Sequence, residues 1–236
     1  MPTGKEIVRS LREKLGDKAE PYLWSPSFLL AAANEAEREA VRRTLAISDS
    51  TTTVDASTRG ICSVGLTTGV GAYTLSPLVL QVMRVKLPSD AAAIAAGTAG
   101  FSVPLQQKTR DELDKTIADW ENMEGTPWAF LTEIANELLI VYKPTFATTA
   151  RLVVKRLPLA DFTLLTEPEF YSEHMLHWAQ KIAYENPDSD TLNLELAKYH
   201  EGQFETYFGP PVSWRDQQTR RQIARGASFR FRPFAS

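Results

Sequence analysis

Three histidines in the last third of the sequence have the clearest potential for chemistry. His174 and His177 are three positions apart, and His200 follows in the next predicted helix. Imidazole nitrogens bind Zn²⁺ and also act as general acids and bases, so the set could form a metal site or serve a hydrolase. The helical pattern, however, puts His174 and His177 on a polar side and His200 on an apolar face. The three therefore need not converge, and we expect two surface histidines and one at a helix contact. We predict that the protein has no metal, no cofactor and no enzymatic activity.

Other candidate sites have simpler structural explanations. The segment 65–71, GLTTGVG, superficially resembles a phosphate loop, but it has neither the lysine nor the following helix, so a hairpin loop is predicted. Cys62 has no adjacent base and is expected to be a small buried residue. Two carboxylate pairs stand at predicted helix starts, where acidic groups favour the helix dipole: Glu167 with Glu169, and Asp111 with Glu112.

The histidines must be positioned by a helical hairpin predicted from Glu167 to Gly209. Pro168 suits a first helical turn, Asn186-Pro187-Asp188 separates the two helices, and Ser189 or Asp190 would cap the second. The two helices are expected to pack antiparallel. Their predicted apolar faces are Tyr171, Met175, Trp178, Ala179 and Ile182 in the first helix, and Leu196, Ala197, His200, Phe204, Tyr207 and Phe208 in the second.

Two further helices are predicted at the other end of the chain. Thr3 to Glu6 matches a capping box, and Ile7, Leu11 and Leu15 follow at helical spacing. Ser25-Pro26 predicts the start of the second helix. Its predicted inner face is Phe28, Leu29, Ala32, Ala33, Ala36, Ala40 and Val41, and its outer face is Asn34, Glu35, Glu37, Arg38, Glu39, Arg42 and Arg43.

The middle of the chain changes to strand patterns. We predict short strands at 61–64, 72–75, 78–87, 128–130, 137–142 and 151–157, a long loop over 88–106, and one helix at about 109–122 that begins at a Thr109–Glu112 capping box. Consecutive short strands favour an antiparallel meander. The predicted fold is α+β. Residues 1–58 and 161–209 form a helical bundle, 59–160 a β-rich antiparallel insertion, and 210–236 an extended basic C-terminal arm.

Composition limits the classes of function. The 236 residues are 43% hydrophobic and 23% charged, and no apolar run approaches the roughly 18–20 residues of a membrane span. The charged, amphipathic start does not resemble a signal peptide, and a single cysteine fits a reducing compartment. The net charge is −3, yet the segment after Gly209 holds six arginines and one acid, so it carries +5 and residues 1–209 carry −8.

The basic arm alternates arginine with apolar residues, and these residue types dominate protein–protein hot spots. We expect the arm to dock on a partner protein. DNA contact through its arginines and a solvated tail without a partner are the alternatives. The candidate partner-binding residues are Trp214, Arg215, Arg220, Arg221, Arg225, Phe229, Arg230, Phe231, Arg232 and Phe234.

An ordered set of motifs over residues 3–209 resembles the head-to-tail adaptor proteins of tailed bacteriophages. The set consists of Trp24, Leu29, Leu30, Asn34, Glu35, Ala36, Arg38 and Glu39 in the second helix, Trp120, then Gly125, Pro127 and Phe130, then Tyr142, Pro144 and Phe146, then Arg156–Pro158, and finally Glu167–Tyr171, His174, Leu176, Trp178 and Ala179. The arginine-rich arm is not a fixed motif of that family, so its role is inferred from its residues.

The resemblance implies a structural virion protein of the phage neck. Proteins of this family form a dodecameric ring under the portal, extend the DNA channel used in viral DNA ejection, and present a docking surface for tail proteins on the nozzle, hub or tail-tube side. The implied partners are the portal ring, those tail proteins, further copies of the chain, and double-stranded DNA that passes without specific binding. No membrane is implied, and assembly is expected in the host cytoplasm. A nucleic-acid-binding module that uses the arginine-rich arm is the alternative function.

Overall fold

A computed structural model describes residues 4–88, 102–134, 136–159, 173–187 and 192–222. Within them the α-helices are α1 (Gly4–Leu15), α2 (Pro26–Thr44), α3 (Arg110–Thr116), α4 (Leu176–Tyr184), α5 (Leu194–Phe208) and α6 (Trp214–Gln222). The strands are β1 (Ser48–Asp49), β2 (Ser63–Leu66), β3 (Ala72–Thr74), β4 (Val79–Pro88), β5 (Ser102–Pro104), β6 (Gln106–Gln107), β7 (Glu124–Gly125), β8 (Ala129–Leu131), β9 (Glu137–Val141), β10 (Lys143–Pro144) and β11 (Thr148–Arg156).

The chain divides into two compact units. Met1–Ile47 and Leu157–Val212 form a helical unit, and Ser48–Arg156 and Ser213–Ser236 form a β-rich unit. The α+β class predicted from the sequence is confirmed. Among the described helices, none has both the length and the apolar character that crossing a membrane requires.

The first two helices begin and end where the sequence indicates. Ile7, Leu11 and Leu15 are buried along α1, and Gly16 follows the helix with a φ of 76°, which glycine adopts without strain. Thr3 of the predicted capping box lies outside the described residues. The Ser25 side chain accepts a hydrogen bond from the Phe28 amide at 3.2 Å, so Ser25 caps α2 as predicted.

The predicted outer face of α2 is wrong for three charged residues. Glu37, Glu39 and Arg43 are buried, together with the apolar inner face from Leu29 to Val41. The reason is that α2 packs against α1, α4 and α5, so more than one side of it is covered. Arg43 and Glu39 tolerate burial because they pair with each other at 2.7 Å.

The helical hairpin is confirmed, with a different N-cap and a different buried face. Asn193 caps α5 by accepting a hydrogen bond from Leu196 N at 3.1 Å, in place of Ser189 or Asp190. The α4 face that is buried comprises Leu176, Ala179, Gln180 and Ala183, whereas Trp178 and Ile182 are only half-buried. In α5, Ala197 and Phe204 are buried, but Leu196 and Tyr207 are exposed. Pro168 and Tyr171 lie outside the described residues.

The larger sheet of the β-rich unit has the order β1-β11-β4-β5, with β2 also paired to β11, and all its pairings are antiparallel. Along β11, buried and more exposed residues alternate, as expected for a strand with one face on a core. A second sheet has the order β3-β9-β8-β6, and β7 pairs with β10. The short β6–β8 and β7–β10 pairings are parallel.

The predicted hairpin at 65–71 is wrong. β2 pairs with β11 and β3 pairs with β9, so the GLTTGVG segment connects two sheets. The Tyr73 hydroxyl accepts from the Thr67 amide at 3.1 Å and donates to the Val70 carbonyl at 2.6 Å, which holds the loop in the absence of hairpin pairing. Val64, Leu66 and Tyr73 all belong to one buried cluster.

Two other predictions for the β-rich unit need correction. The predicted meander stops after β8 and β9, because β11 pairs along most of the long strand β4 in the other sheet. The predicted loop over 88–106 contains β5 and the start of β6, on either side of the buried Leu105; residues 89–101 lie outside the described part. The predicted helix at about 109–122 runs only to Thr116, because Ile117 is extended and Asp119 is left-handed.

Candidate partner-binding surface

The arm that the sequence predicts to bind a partner begins as helix α6, which belongs to the β-rich unit. Ser213 caps this helix: its hydroxyl accepts from the Asp216 amide at 3.1 Å and contacts the Asp216 carboxylate at 2.7 Å. Trp214 opens the helix with 75% of its surface exposed, and Arg215 beside it is exposed as well. An exposed tryptophan next to an exposed arginine is the composition of a protein-binding anchor.

The arginines at the other end of α6 are in a different environment. Arg220 and Arg221 are half-buried, and their main-chain carbonyls contact the β-rich unit. Arg221 Nε also donates to the Leu80 carbonyl at 3.5 Å, and burial lowers the pKa of its guanidinium. Six of the candidate residues lie outside the described residues: Arg225, Phe229, Arg230, Phe231, Arg232 and Phe234.

Three side chains that contact the end of α6 were missed by the sequence analysis. Gln81 Nε2 donates to the Arg220 carbonyl, and Gln107 Nε2 and Thr132 Oγ1 donate to the Arg221 carbonyl at 2.8 and 3.1 Å. The only sequence signal for this role was the presence of polar residues within or beside otherwise apolar strands, and that pattern is too common to identify a contact.

The histidines converge, and His174 and His177 are half-buried rather than surface residues as the sequence predicts. His177 Nδ1 and His200 Nδ1 are 3.0 Å apart across the α4–α5 hairpin. Aromatic rings extend the contact on both sides. The ring centroids of His174 and Tyr207 are 3.3 Å apart, and those of His200 and Tyr184 are 5.6 Å apart. The sequence pattern does not reveal this convergence, because His174 and His177 fall on the polar side of the predicted helix, whereas α5 covers that side of the hairpin.

The electrostatics of the histidine pair favour neutral rings. Burial, followed by the charges of His177 and Lys14, lowers the pKa of His200 to about 4. Burial is also the main cause that lowers the pKa of His177, with smaller effects from Lys14 and His174. At neutral pH one ring therefore donates and the other accepts. Among the described side chains, no group of three or more His, Cys, Asp or Glu residues is arranged to hold a metal ion.

Cys62 lies in a buried polar cluster with Asp49 and Arg156. Burial, followed by the charge of Asp49, raises the pKa of the Cys62 thiol to about 11, so the group is a thiol at neutral pH rather than a nucleophilic thiolate. Asp49 accepts from Arg156 Nε at 2.6 Å and from the Thr51 and Thr52 amides at 2.8 and 3.1 Å. The cluster joins β1 to β11, and this structural role explains why its polar groups are buried.

Comparison with known families gives one match over nearly the whole chain. A family model described as SU10 adaptor protein matches residues 2–230, a range that covers nearly all of the two structural units and most of the arginine-rich arm. No curated protein matches the chain.

Proposed function

Because the chain belongs to the SU10 adaptor protein family of phage head-to-tail adaptors, we propose that it forms a ring between the portal and the tail. Membership of this family implies a structural component of the virion neck that associates with portal and tail proteins. The proposal adds that copies of the chain assemble into a closed ring, expected to be dodecameric, after synthesis in the host cytoplasm. Closed rings arise when identical subunits meet through two different, complementary surfaces.

The arm that begins at α6 is the proposed portal-binding element. The observation that carries this assignment is the exposed pair Trp214 and Arg215 at the start of α6, within a chain whose family associates with portals. An indole and a guanidinium bury large contact areas and donate directed hydrogen bonds, which makes them effective anchors in a pocket of a partner.

The remaining parts of the chain have separate proposed roles. The helices of residues 1–58 and 161–209 form the scaffold of the ring, and the β-rich insertion, 59–160, meets the tail proteins. Residues 1–209 carry a net charge of −8. Because like charge repels phosphate, an acidic body suits a channel that DNA traverses without being bound.

Deletion of residues 212–236 tests the role of the arm. The truncated protein is expected to lose attachment to portal-containing heads, measured by co-sedimentation. A double variant with Trp214→Ala and Arg215→Ala should lose most of the attachment while the rest of the arm remains. Arg9→Ala is the matched control, because Arg9 is an exposed arginine on α1, with 81% of its side chain accessible and an ion pair to Glu13 one turn away. Undiminished attachment of the truncated chain would show that portal docking does not require the arm.

Ring formation needs its own measurement. Sedimentation and particle imaging with and without purified portal rings are expected to show a ring-shaped complex of many copies when portal is present. A single copy bound per portal subunit without contacts between copies would contradict the ring.

The net charge of +5 on the arm supports one alternative, a nucleic-acid-binding module. That function predicts DNA binding by the isolated protein that weakens steeply with salt and is lost when Arg220 and Arg221 are both replaced by alanine. Under the adaptor proposal the isolated protein shows no such salt-dependent binding.

A further inference from the structure

The β-rich unit carries a polar seat for the C-terminal end of α6. The seat consists of Gln81 on β4, Gln107 on β6 and Thr132 directly after β8, and together they donate hydrogen bonds to the carbonyls of Arg220 and Arg221. Gln81 and Thr132 are 8% and 5% exposed. Their donor groups are therefore held inside the unit and directed at the helix.

The seat recognises main chain rather than side chains. The last carbonyls of an α-helix have no partner inside the helix and carry a partial negative charge, so neutral or positive donors at that end are favourable. Gln107 Nε2 also lies 3.4 Å from Thr132 Oγ1, which keeps the two donors together. Arg221 adds a contact in the opposite direction, from its Nε to the Leu80 carbonyl at 3.5 Å.

Helix α6 lies at the surface of the β-rich unit, and these contacts help to hold it folded. None of its residues is buried, and an isolated helix of nine residues is not stable in water. Each hydrogen bond makes a small net contribution, so the loss of two or three together should release the helix.

We propose that Gln81, Gln107 and Thr132 are positioning residues for the portal-binding arm. They hold α6 folded and fix its C-terminal turn, at Arg220 and Arg221, on the strands of the β-rich unit, so that Trp214 and Arg215 are presented in one arrangement. A partner that meets a preordered helix loses less conformational entropy on binding than one that must order a free segment. This inference rests on the portal-binding role proposed above for the arm.

The test uses the full chain and variants that keep side-chain size. Gln107→Glu removes the amide donor, and Thr132→Val removes the hydroxyl donor, with little change in volume. The double variant is expected to lose amide protection across residues 214–222 by at least tenfold in hydrogen exchange, and to bind portal rings about tenfold more weakly. Gln106→Glu is the matched control, because Gln106 is the exposed neighbour of Gln107 and carries the same charge change. It should leave both measurements unchanged.

A second variant separates local release from general destabilisation. Thr132→Val alone introduces no charge and should reduce protection of α6 while exchange in β4 and β11 stays as in the natural chain. If deletion of 212–236 leaves portal binding intact, the arm's role and this inference both fail. If deletion abolishes portal binding but the seat variants bind as tightly as the natural chain, the arm's role stands and the positioning role is wrong.

Discussion

Arg43 Nε lies 2.7 Å from Glu39 Oε1 one turn earlier on α2, and only 1% of the arginine side chain is exposed. The guanidinium also donates from Nη1 to the Gly209 carbonyl at 2.6 Å, and it lies 4.9 Å from the ring centres of Trp178 and Phe204. One buried cation thus connects α2 to both helices of the hairpin and to the residue that ends α5. The buried guanidinium therefore adds polar contacts between helices that also pack through their apolar faces.

Replacing the carboxylate should therefore destabilise the helical unit. Glu39→Gln keeps the shape of the side chain but removes the negative charge opposite Arg43. Loss of one partner of a buried ion pair costs roughly 3 kcal/mol, because the remaining charge stays desolvated. The expected result is a lower urea midpoint for hydrogen exchange in α2. Glu35→Gln, at an exposed position 4.0 Å from Arg42, should change stability by less than about 0.5 kcal/mol. Equal effects from the two variants would rule out a special role for the buried pair.

The histidine pair predicts an acid-sensitive hairpin. Burial lowers the pKa of His200 to about 4 in the folded chain, below its ordinary value of about 6.5. The unfolded chain therefore binds protons first, so the contribution of His200 to stability is complete above pH 6.5 and declines as the pH falls toward 4. Besides burial and the two rings themselves, the groups that shift the pKa values of the pair are Lys14, Glu173, His174 and Gln180.

The expected loss between pH 7 and pH 4.5 is about 2 kcal/mol in the free energy of unfolding of the hairpin. His200→Asn retains a polar atom near the position of Nδ1 but does not titrate, so its stability should vary less over this range. Urea titrations followed by hydrogen exchange in α4 and α5 make the comparison. If His200→Asn kept the full pH dependence of the natural chain, the pH dependence would not come from His200.

Asp49 predicts a separate effect at lower pH in the β-rich unit. Burial raises the pKa of Asp49, but hydrogen bonds from Thr52, Thr51 and Arg156 outweigh burial and hold the pKa well below its ordinary value. The stabilisation from the ionised carboxylate is therefore present above about pH 4 and is lost as the pH falls further. Asp49→Asn should cost about 3 kcal/mol at pH 7, and the difference from the natural chain should shrink below pH 4.

The control for this prediction is Asp111→Asn, at an exposed position in the first turn of α3. It should lower stability by at most a few tenths of a kcal/mol at any pH. A constant difference between Asp49→Asn and the natural chain from pH 7 to pH 3 would mean that Asp49 has the same pKa in the folded and the unfolded chain, so that the fold does not favour its ionised form.

Local sequence signals predicted the local structure well. The cap of α2 at Ser25, the buried stripe of α1 and the strand segments in the middle of the chain follow from capping chemistry and hydrophobic period, which depend on neighbouring residues only. The family could also be predicted from the sequence, because an ordered set of motifs still indicates it when any single motif has changed.

The pairing of strands and the burial of charged side chains could not be predicted from local sequence signals. Nothing in the sequence around GLTTGVG reveals that β2 and β3 have different partners, since the partner strands β11 and β9 lie about 65 or more residues further along the chain. The hydrophobic pattern of α2 predicts one covered side and puts Arg43 on the outer face. In the fold, other helices cover more than one side of α2, so Arg43 is buried. The three donors that contact α6 are also distant from one another in sequence. Because they meet only in the folded unit, the sequence does not reveal the seat.

The last prediction concerns Gly60, where the backbone approaches the Ser63 carbonyl closely within one short segment. A Cβ atom at this position would lie 2.5 Å from the Ser63 carbonyl oxygen and 3.0 Å from Val64 Cγ2, so backbone would have to move. Gly60→Ala should lower the stability of the β-rich unit by about 2 kcal/mol, measured as a decrease in the urea midpoint for exchange in β4 and β11.

Gly65→Ala provides the matched comparison, because no heavy atom lies within 4 Å of the position that its Cβ would take. Alanine in a strand also loses less conformational freedom on folding than glycine, so this variant should be neutral or more stable by about 0.5 kcal/mol. A Gly60→Ala protein as stable as the Gly65→Ala protein would show that the segment between Gly60 and Ser63 relaxes without cost, and that the tight contact is not a constraint on the fold.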